Sequence, residues 1–167
     1  SVMIHPAALD PMQLIEQCRI ERRRGSGPGG QRRNKVETAV RLVHEPTGVV
    51  AEASERRSQA ENRKTAIFRL RVNLAIRIRC PAREAPSALW MQRCRGAAVS
   101  INPRHDDYPA ILAEALDLMA VGEYAPRHAA KVLNCTSSQL IKVLRLEPRA
   151  LHLVNEQRRR LGGGALR

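Results

Sequence analysis

The sequence predicts an α+β fold: a small β-sheet holding a glycine-rich loop against one long packed helix, then a C-terminal all-α module with a helix-turn-helix-like pair. Three observations carry this. Runs of alternating apolar and polar residues flank a segment too rich in glycine and proline for regular structure. One apolar stripe at helical spacing runs from about Ser58 to Arg79. From Asp106 onward, cap and proline signals mark short amphipathic helices. The chain accordingly divides into a loop-bearing domain at 1–80, a connector at 81–107 and a basic helical module at 108–167.

In chain order, Pro11–Gln17 reads as a short helix with Asp10 as its N-cap. Cys18–Arg24 is a polar strand leading into the loop. After the loop, Val36, Thr38, Val40 and Leu42 alternate with Glu37, Ala39, Arg41 and Val43, the period of a half-buried strand. Glu45-Pro46-Thr47-Gly48 is a turn, and Val49–Ala53 returns as the partner, so Val36–Ala53 is a hairpin. In the long helix, Ile67, Leu70, Leu74 and Ile78 form the stripe, widened by Ala66, Phe68, Val72 and Ala75. Arg63, Lys64, Arg69, Arg71 and Arg77 lie opposite, with Glu61 the only acid between Ser58 and Arg79. That sign bias points to phosphate contact.

Cys80–Tyr108 has weak periodicity and reads as a connector, with Trp90 a packing anchor. Asp107 is expected to cap a helix with Pro109 in its first turn and Ile111, Leu112, Ala115, Leu118 and Met119 on its apolar face. Pro126–Leu133 is a second helix. Thr136-Ser137-Ser138-Gln139 is a capping box opening a third, with Leu140, Ile141, Leu144 and Leu146 as core. Arg149–Leu161 closes the module. Ala125–Leu133 and Thr136–Arg145, joined at Asn134-Cys135, form the helix-turn-helix-like pair, readable as a generic docking module or as a base reader.

Charge is the strongest compositional signal. Lys and Arg number 29 against 16 Asp and Glu, a formal net charge of +13, and all but Lys35, Lys64, Lys131 and Lys142 are arginine. A polyanionic partner follows, and arginine suits bidentate phosphate contact. Aromatic residues are only 2%, so stacking of bases on aromatic platforms is not expected. Cys18, Cys80, Cys94 and Cys135 show no C-x-x-C spacing and read as reduced structural thiols; no metal or other cofactor is expected. The five histidines are isolated in sequence, and His44, just before the turn, reads as structural. No apolar run approaches membrane-spanning length and Ser1–Asp10 lacks a secretory pattern, so a cytoplasmic monomer without membrane contact is expected.

The loop itself reads Arg24-Gly25-Ser26-Gly27-Pro28-Gly29-Gly30-Gln31-Arg32-Arg33-Asn34-Lys35. Its glycine spacing matches both phosphate-binding fingerprints, but neither is completed. Gln31-Arg32 stands where a P-loop needs Lys-Ser/Thr, and no helix follows the G-x-G-x-x-G arrangement. Downstream come Asn34-Lys35-Val36-Glu37-Thr38-Ala39-Val40-Arg41, then His44-Glu45-Pro46-Thr47-Gly48, Glu55-Arg56-Arg57-Ser58-Gln59 and Asn62-Arg63-Lys64. With Gly29-Gly30-Gln31 in register, this series resembles the catalytic domain of class I peptide chain release factors and their codon-independent, ribosome-rescuing relatives.

The resemblance implies hydrolysis of the ester joining a nascent peptide to tRNA, with the ribosome and peptidyl-tRNA as partners. It implies Gly29, Gly30 and Gln31 as catalytic residues, the Gln31 N–H stabilising an oxyanion and its side chain placing water. It also implies RNA contact by Arg24, Arg32, Arg33, Lys35, Arg63 and Lys64, with Arg158, Arg159 and Arg160 standing in for the basic tail of the rescue relatives. A glutamine methyltransferase acting on Gln31 is a further candidate partner. Two departures matter. Arg32-Arg33 replaces the usual His-Val, and no stop-codon-reading domain or Pro-x-Thr or Ser-Pro-Phe tripeptide in a suitable context is present, so codon-independent action is expected. The alternative is a non-catalytic RNA- or DNA-binding factor working through the helix-turn-helix-like module.

Overall fold

The computed structural model describes residues 3–22 and 38–167. Gly29-Gly30-Gln31, Arg24, Arg32, Arg33 and Lys35, and the expected strand positions 23, 24, 36 and 37, lie outside the described residues. A 3₁₀ turn at Pro6–Ala8 leads to α1 (Pro11–Glu16), where Asp10 caps as expected by accepting from the Met12 N–H. β1 (Cys18–Arg22), β2 (Val40–His44) and β3 (Val50–Ala53) form an antiparallel sheet in that order, pairing Arg22 with Val40 and Val43 with Val50.

The expected alternation holds in β2: Val40, Leu42 and His44 are buried while Arg41 and Val43 are half-buried. The strand begins later than its period suggests, because Thr38 and Ala39 are not paired in the ladder. Thr38 is drawn instead toward the segment before α2, where its Oγ1 donates to the Arg56 carbonyl at 2.9 Å. At the β2–β3 turn, Gly48 takes φ +73° and its N–H donates to the His44 carbonyl at 2.7 Å. His44 is structural. Its Nδ1 lies 2.7 Å from Thr47 Oγ1 and its Nε2 2.8 Å from Gln17 Oε1, tying the turn to the end of α1, and burial holds its pKa below the ordinary value. On the solvent face Arg41 lies between Glu21 (2.8 Å) and Glu52 (3.1 Å), its registered neighbours on either side.

The long helix α2 (Gln59–Arg77) is capped by Ser58, whose Oγ accepts from the Glu61 N–H. One face packs on β2 and β3. The other is covered by the 3₁₀ turn and by α4 (Tyr108–Val121), which carries the next layer of the core. This double burial corrects the one-stripe expectation. Leu70, Arg71, Val72, Leu74, Ala75 and Ile76 are all buried, whereas Ile67 and Phe68 are only half-buried. Arg71, expected on the exposed basic face, is 7% exposed and donates from Nε to the Ala7 carbonyl at 3.2 Å. Arg63, Lys64 and Arg77 remain exposed.

The connector is more structured than its composition suggests. It contains α3 (Ala88–Gln92) and a small hairpin, β4 (Cys94–Arg95) with β5 (Ala98–Val99). Trp90 is fully buried, the anchor expected of it. Glu114 of α4 holds α3 in place by accepting from both the N–H (2.9 Å) and the hydroxyl of Ser87.

The remaining helices are α5 (Pro126–Val132), α6 (Ser137–Arg145) and α7 (Pro148–Arg160). The pair marked as helix-turn-helix-like is α5 and α6, which turn through Asn134 at φ +54°. The apolar face expected for α4 is buried at all five positions. Two caps differ from expectation. Asp107 precedes α4 but makes no side-chain cap bond, because the Arg93 guanidinium occupies its carboxylate. Thr136 does accept from the Gln139 N–H, but Gln139 does not complete the box. Its Oε1 accepts from the Val99 N–H at 3.1 Å, fastening the hairpin to α6.

Candidate functional site

Arg22 and Val40, which lie before and after the glycine motif in sequence, are paired across β1 and β2. The sheet therefore holds these two flanking residues side by side. The chain after the motif is held at Thr38 by Asn62, which is fully buried in the first turns of α2. Asn62 Oδ1 accepts from the Arg56 N–H at 3.0 Å. Its Nδ2 lies within hydrogen-bonding distance of the Thr38 carbonyl (2.9 Å), Thr38 Oγ1 (3.2 Å) and the Arg56 carbonyl (2.9 Å). One amide thus ties together three parts of the chain: the end of the motif segment, the 54–57 link and the helix. Sequence reasoning counted Asn62 in the series it recognised but gave it no role. The signal was present: Asn62, Ala66 and Leu70 recur at four-residue spacing, so a polar residue sits on the apolar row.

Arg63 and Lys64 follow directly. Both are exposed, and no ion pair engages either among the described residues. Arg69 differs from them, since its Nη1 is held by Glu55 Oε1 (2.7 Å) and by the Glu52 carbonyl (2.9 Å). Of the cations expected to face phosphate on this part of α2, Arg63 and Lys64 are the exposed ones that no ion pair engages among the described residues, and Arg69 is held by Glu55 and the Glu52 carbonyl.

The three C-terminal arginines do not act alike. Arg158 donates from Nη1 to the Tyr124 carbonyl at 2.9 Å and from Nε to the Gly164 carbonyl at 2.6 Å. Glu123 and Tyr124 form the α4–α5 turn with φ of 56° and 61°, a left-handed conformation unfavourable for residues with a Cβ. Arg158 braces that turn and also fixes the residues after α7. Asn155 helps by exchanging hydrogen bonds with the Leu166 backbone in both directions, at 3.0 and 2.7 Å. Arg159 pairs with Glu156 at 2.7 Å, and Arg160 is exposed. Arg158→Ala should therefore lower stability by about 1–3 kcal/mol, read by thermal denaturation. Arg160→Ala should stay within about 0.5 kcal/mol of wild type in the same melt.

Folding also gathers His5, Cys80 and Asp117, whose candidate ligand atoms lie within 4.8 Å of one another. His5 is thus not isolated, as its sequence position suggested. The chemistry does not suit a metal. His5 Nδ1 accepts from the Ala7 N–H at 3.0 Å and Nε2 donates to the Ile78 carbonyl at 2.9 Å, so neither nitrogen has a free lone pair. Arg79 Nη1 stands 3.5 Å from the Asp117 carboxylate. Burial pushes the Cys80 thiol up and raises the Asp117 pKa to about 6. The cluster fastens the end of α2 to α4, with the Cys80 N–H donating to Asp117 at 3.0 Å.

The sequence model of the RF-1 domain matches residues 14–100, from α1 through β5. The chain belongs to the RF-1 domain family. The RF-1 domain here is 53% identical over 58 residues to peptide chain release factor 1 of Ureaplasma parvum serovar 3 (strain ATCC 700970), covering 35% of this chain and 16% of that protein. It is 48% identical over 74 residues to the mitochondrial peptide chain release factor 1-like protein of Mus musculus, covering 44% and 20%. It is 42% identical over 77 residues to peptide chain release factor 2 of Aromatoleum aromaticum, covering 44% and 21%. The chain thus spans about a fifth or less of the length of these relatives. The match to the RF-1 domain ends before α4, so the α4–α7 bundle lies outside it. No described helix is long and apolar enough to cross a membrane.

Proposed function

We propose that this RF-1 domain hydrolyses the ester between nascent peptide and tRNA on the ribosome, without requiring a stop codon. The observation that carries the reading is Gly29-Gly30-Gln31 with its downstream series in register, inside the matched span 14–100. In this reading the ribosomal RNA supplies most of the reaction site, and the protein contributes a shaped backbone. Gly29 and Gly30 permit the backbone conformation, the Gln31 N–H stabilises the developing oxyanion, and the Gln31 side chain places water. Arg24, Arg32, Arg33, Lys35, Arg63 and Lys64 contact rRNA phosphates around it. The protein acts as a monomer, and Gln31 is the residue a glutamine methyltransferase would modify.

Independence from a stop codon is the finer part of the reading, and it is supported by the resemblance of the motif series to the codon-independent relatives. The test is release of labelled peptide from peptidyl-tRNA on purified ribosomes programmed with stop, sense or empty A-site messengers. Release from all three, or preferentially from the empty site, supports the reading. Release confined to stop codons removes its codon-independent part. No release from any complex, with retained nucleic-acid binding, favours a non-catalytic factor working through α5 and α6.

A further inference from the structure

The RF-1 match stops at residue 100, and the proposed reaction gives α4, α5 and α6 no task. Their arrangement is well defined. α5 ends in a Schellman turn: Asn134 takes φ +54°, and the Cys135 N–H reaches back to the Ala130 carbonyl at 3.0 Å. Thr136 then caps α6 at once, so residues 133–136 are the whole link between the two helices. Both pack on α4, and the buried Tyr108 hydroxyl donates to the Val143 carbonyl at 2.9 Å, fixing α6 against it. Ala129, Ala130 and Leu133 are buried on one side of the turn and Leu140, Val143 and Leu144 on the other. Two short helices joined by a tight turn and braced on a third have the order of a helix-turn-helix unit.

The outward face of this pair carries one sign of charge. From Ala125 to Leu146 the sequence holds Arg127, Lys131, Lys142 and Arg145 and no Asp or Glu. All four are exposed, and none forms an ion pair among the described residues; Arg145 donates only to the Arg167 carbonyl, at 3.4 Å. Of the flanking acids, Glu147 is held by Arg149 at 2.9 Å and Glu123 sits in the α4–α5 turn. Arg127 and Lys131 recur at four-residue spacing on α5, and exposed Ser138, Lys142 and Arg145 share one face of α6. The β4–β5 hairpin, fastened to α6 through Gln139, adds exposed Arg95 and no acid.

We propose that α6 enters the major groove of duplex DNA, with Ser138 and Lys142 at base edges and Arg127 and Lys131 of α5 on the adjoining phosphates. Cations without acids call for a polyanion. Residues 125–146 include no Phe, Tyr or Trp on which an unpaired base could stack, which favours a duplex. The major groove of B-form DNA admits an α-helix, whereas that of A-form RNA is deep and narrow, which favours DNA. In such units the second helix meets base edges through its N-terminal half while the first crosses the backbone. Lysine suits the guanine acceptors there, and a serine hydroxyl can give or take a hydrogen bond. This role stands apart from ester hydrolysis.

Selection of duplexes of about 20 base pairs from a random-sequence DNA library on the full chain tests this, followed by fluorescence anisotropy at several salt concentrations. A consensus of a few base pairs should emerge, bound at least about tenfold more tightly than scrambled DNA or duplex RNA of the same sequence. Lys142→Ala should weaken the selected duplex about tenfold and relax one position of the consensus. Lys131→Ala should weaken selected and scrambled DNA alike and lower the salt slope by about one. Arg77→Ala, which removes an exposed cation of α2, should change affinity less than twofold. All three side chains are exposed, so the variants should melt as wild type does. Equal losses for Lys142→Ala and Arg77→Ala would reduce the effect to net charge and overturn the site. Selection without a consensus, or duplex RNA bound as tightly as DNA, would overturn the major-groove assignment. No ribosome or peptidyl-tRNA enters this assay, so its failure leaves the hydrolysis reading standing, and absence of peptide release leaves DNA binding standing.

Discussion

Gly30→Ala is expected to slow peptide release from ribosome-bound peptidyl-tRNA by about a hundredfold or more, and Gln31→Ala by less. Loss of one oxyanion donor typically costs about 3 kcal/mol, near a hundredfold in rate. Alanine at position 31 keeps the backbone N–H assigned to that task and removes only the water-placing side chain. A Cβ at position 30 bears on the backbone shape itself, because glycine alone tolerates the full range of φ. Single-turnover release measured for both variants decides the matter. Equal rates would mean that the Gln31 side chain carries as much of the reaction as the backbone, and the oxyanion account would fail.

The second large effect is expected at Asn62. Asn62→Ala removes the amide that bonds the Arg56 N–H and the Thr38 and Arg56 carbonyls in part-buried contacts. Each of these hydrogen bonds so lost costs about 0.5–1.5 kcal/mol, so a total near 2–4 kcal/mol is expected, seen as a drop of about 5–15 °C in Tm. Asn62→Asp is a sharper test. It keeps an acceptor for Arg56 but turns the donor into a second acceptor facing the Thr38 and Arg56 carbonyls. The introduced carboxyl should have a raised pKa, because only its protonated form can donate there. Its folded-state pKa then lies above the unfolded value, so stability relative to wild type should rise as pH falls through it. Thermal melts at pH 5 and pH 8 read this out. An Asp variant as stable as wild type at pH 8 would refute the hub. Release should fall in Asn62→Ala as well, since the Thr38 end of the motif segment loses its anchor.

The exposure of Arg63 and Lys64 was legible in the sequence, but the fate of the other cations of the helix and the C-terminal cluster was not. Arg63 and Lys64 lie in the first turns of α2, where the charge pattern of the local sequence indicates exposure. Arg71, two turns later and on the same nominal outer face, is buried by a turn at Pro6–Ala8 and by α4, both distant in sequence. Arg158 looked like part of a basic patch. It became a brace because Glu123 and Tyr124 adopt a strained turn that needs an acceptor satisfied.

What the sequence determined by itself is what short-range chemistry controls. The β2 alternation, the Gly48 turn and the caps at Asp10, Ser58 and Thr136 involve partners only a few residues apart, so their residue types state the geometry. The motif was equally plain, being a contiguous string. Tertiary structure decided the rest: Asn62 as a hub, Gln139 diverted to the Val99 N–H, Asp107 taken by Arg93, and Arg71 buried with its Nε on the Ala7 carbonyl. In each case a side chain able to satisfy a local partner meets a different one when another element packs against it. A polar group taken out of water must bond to whatever the packed neighbour presents, and no local pattern records which neighbour that will be.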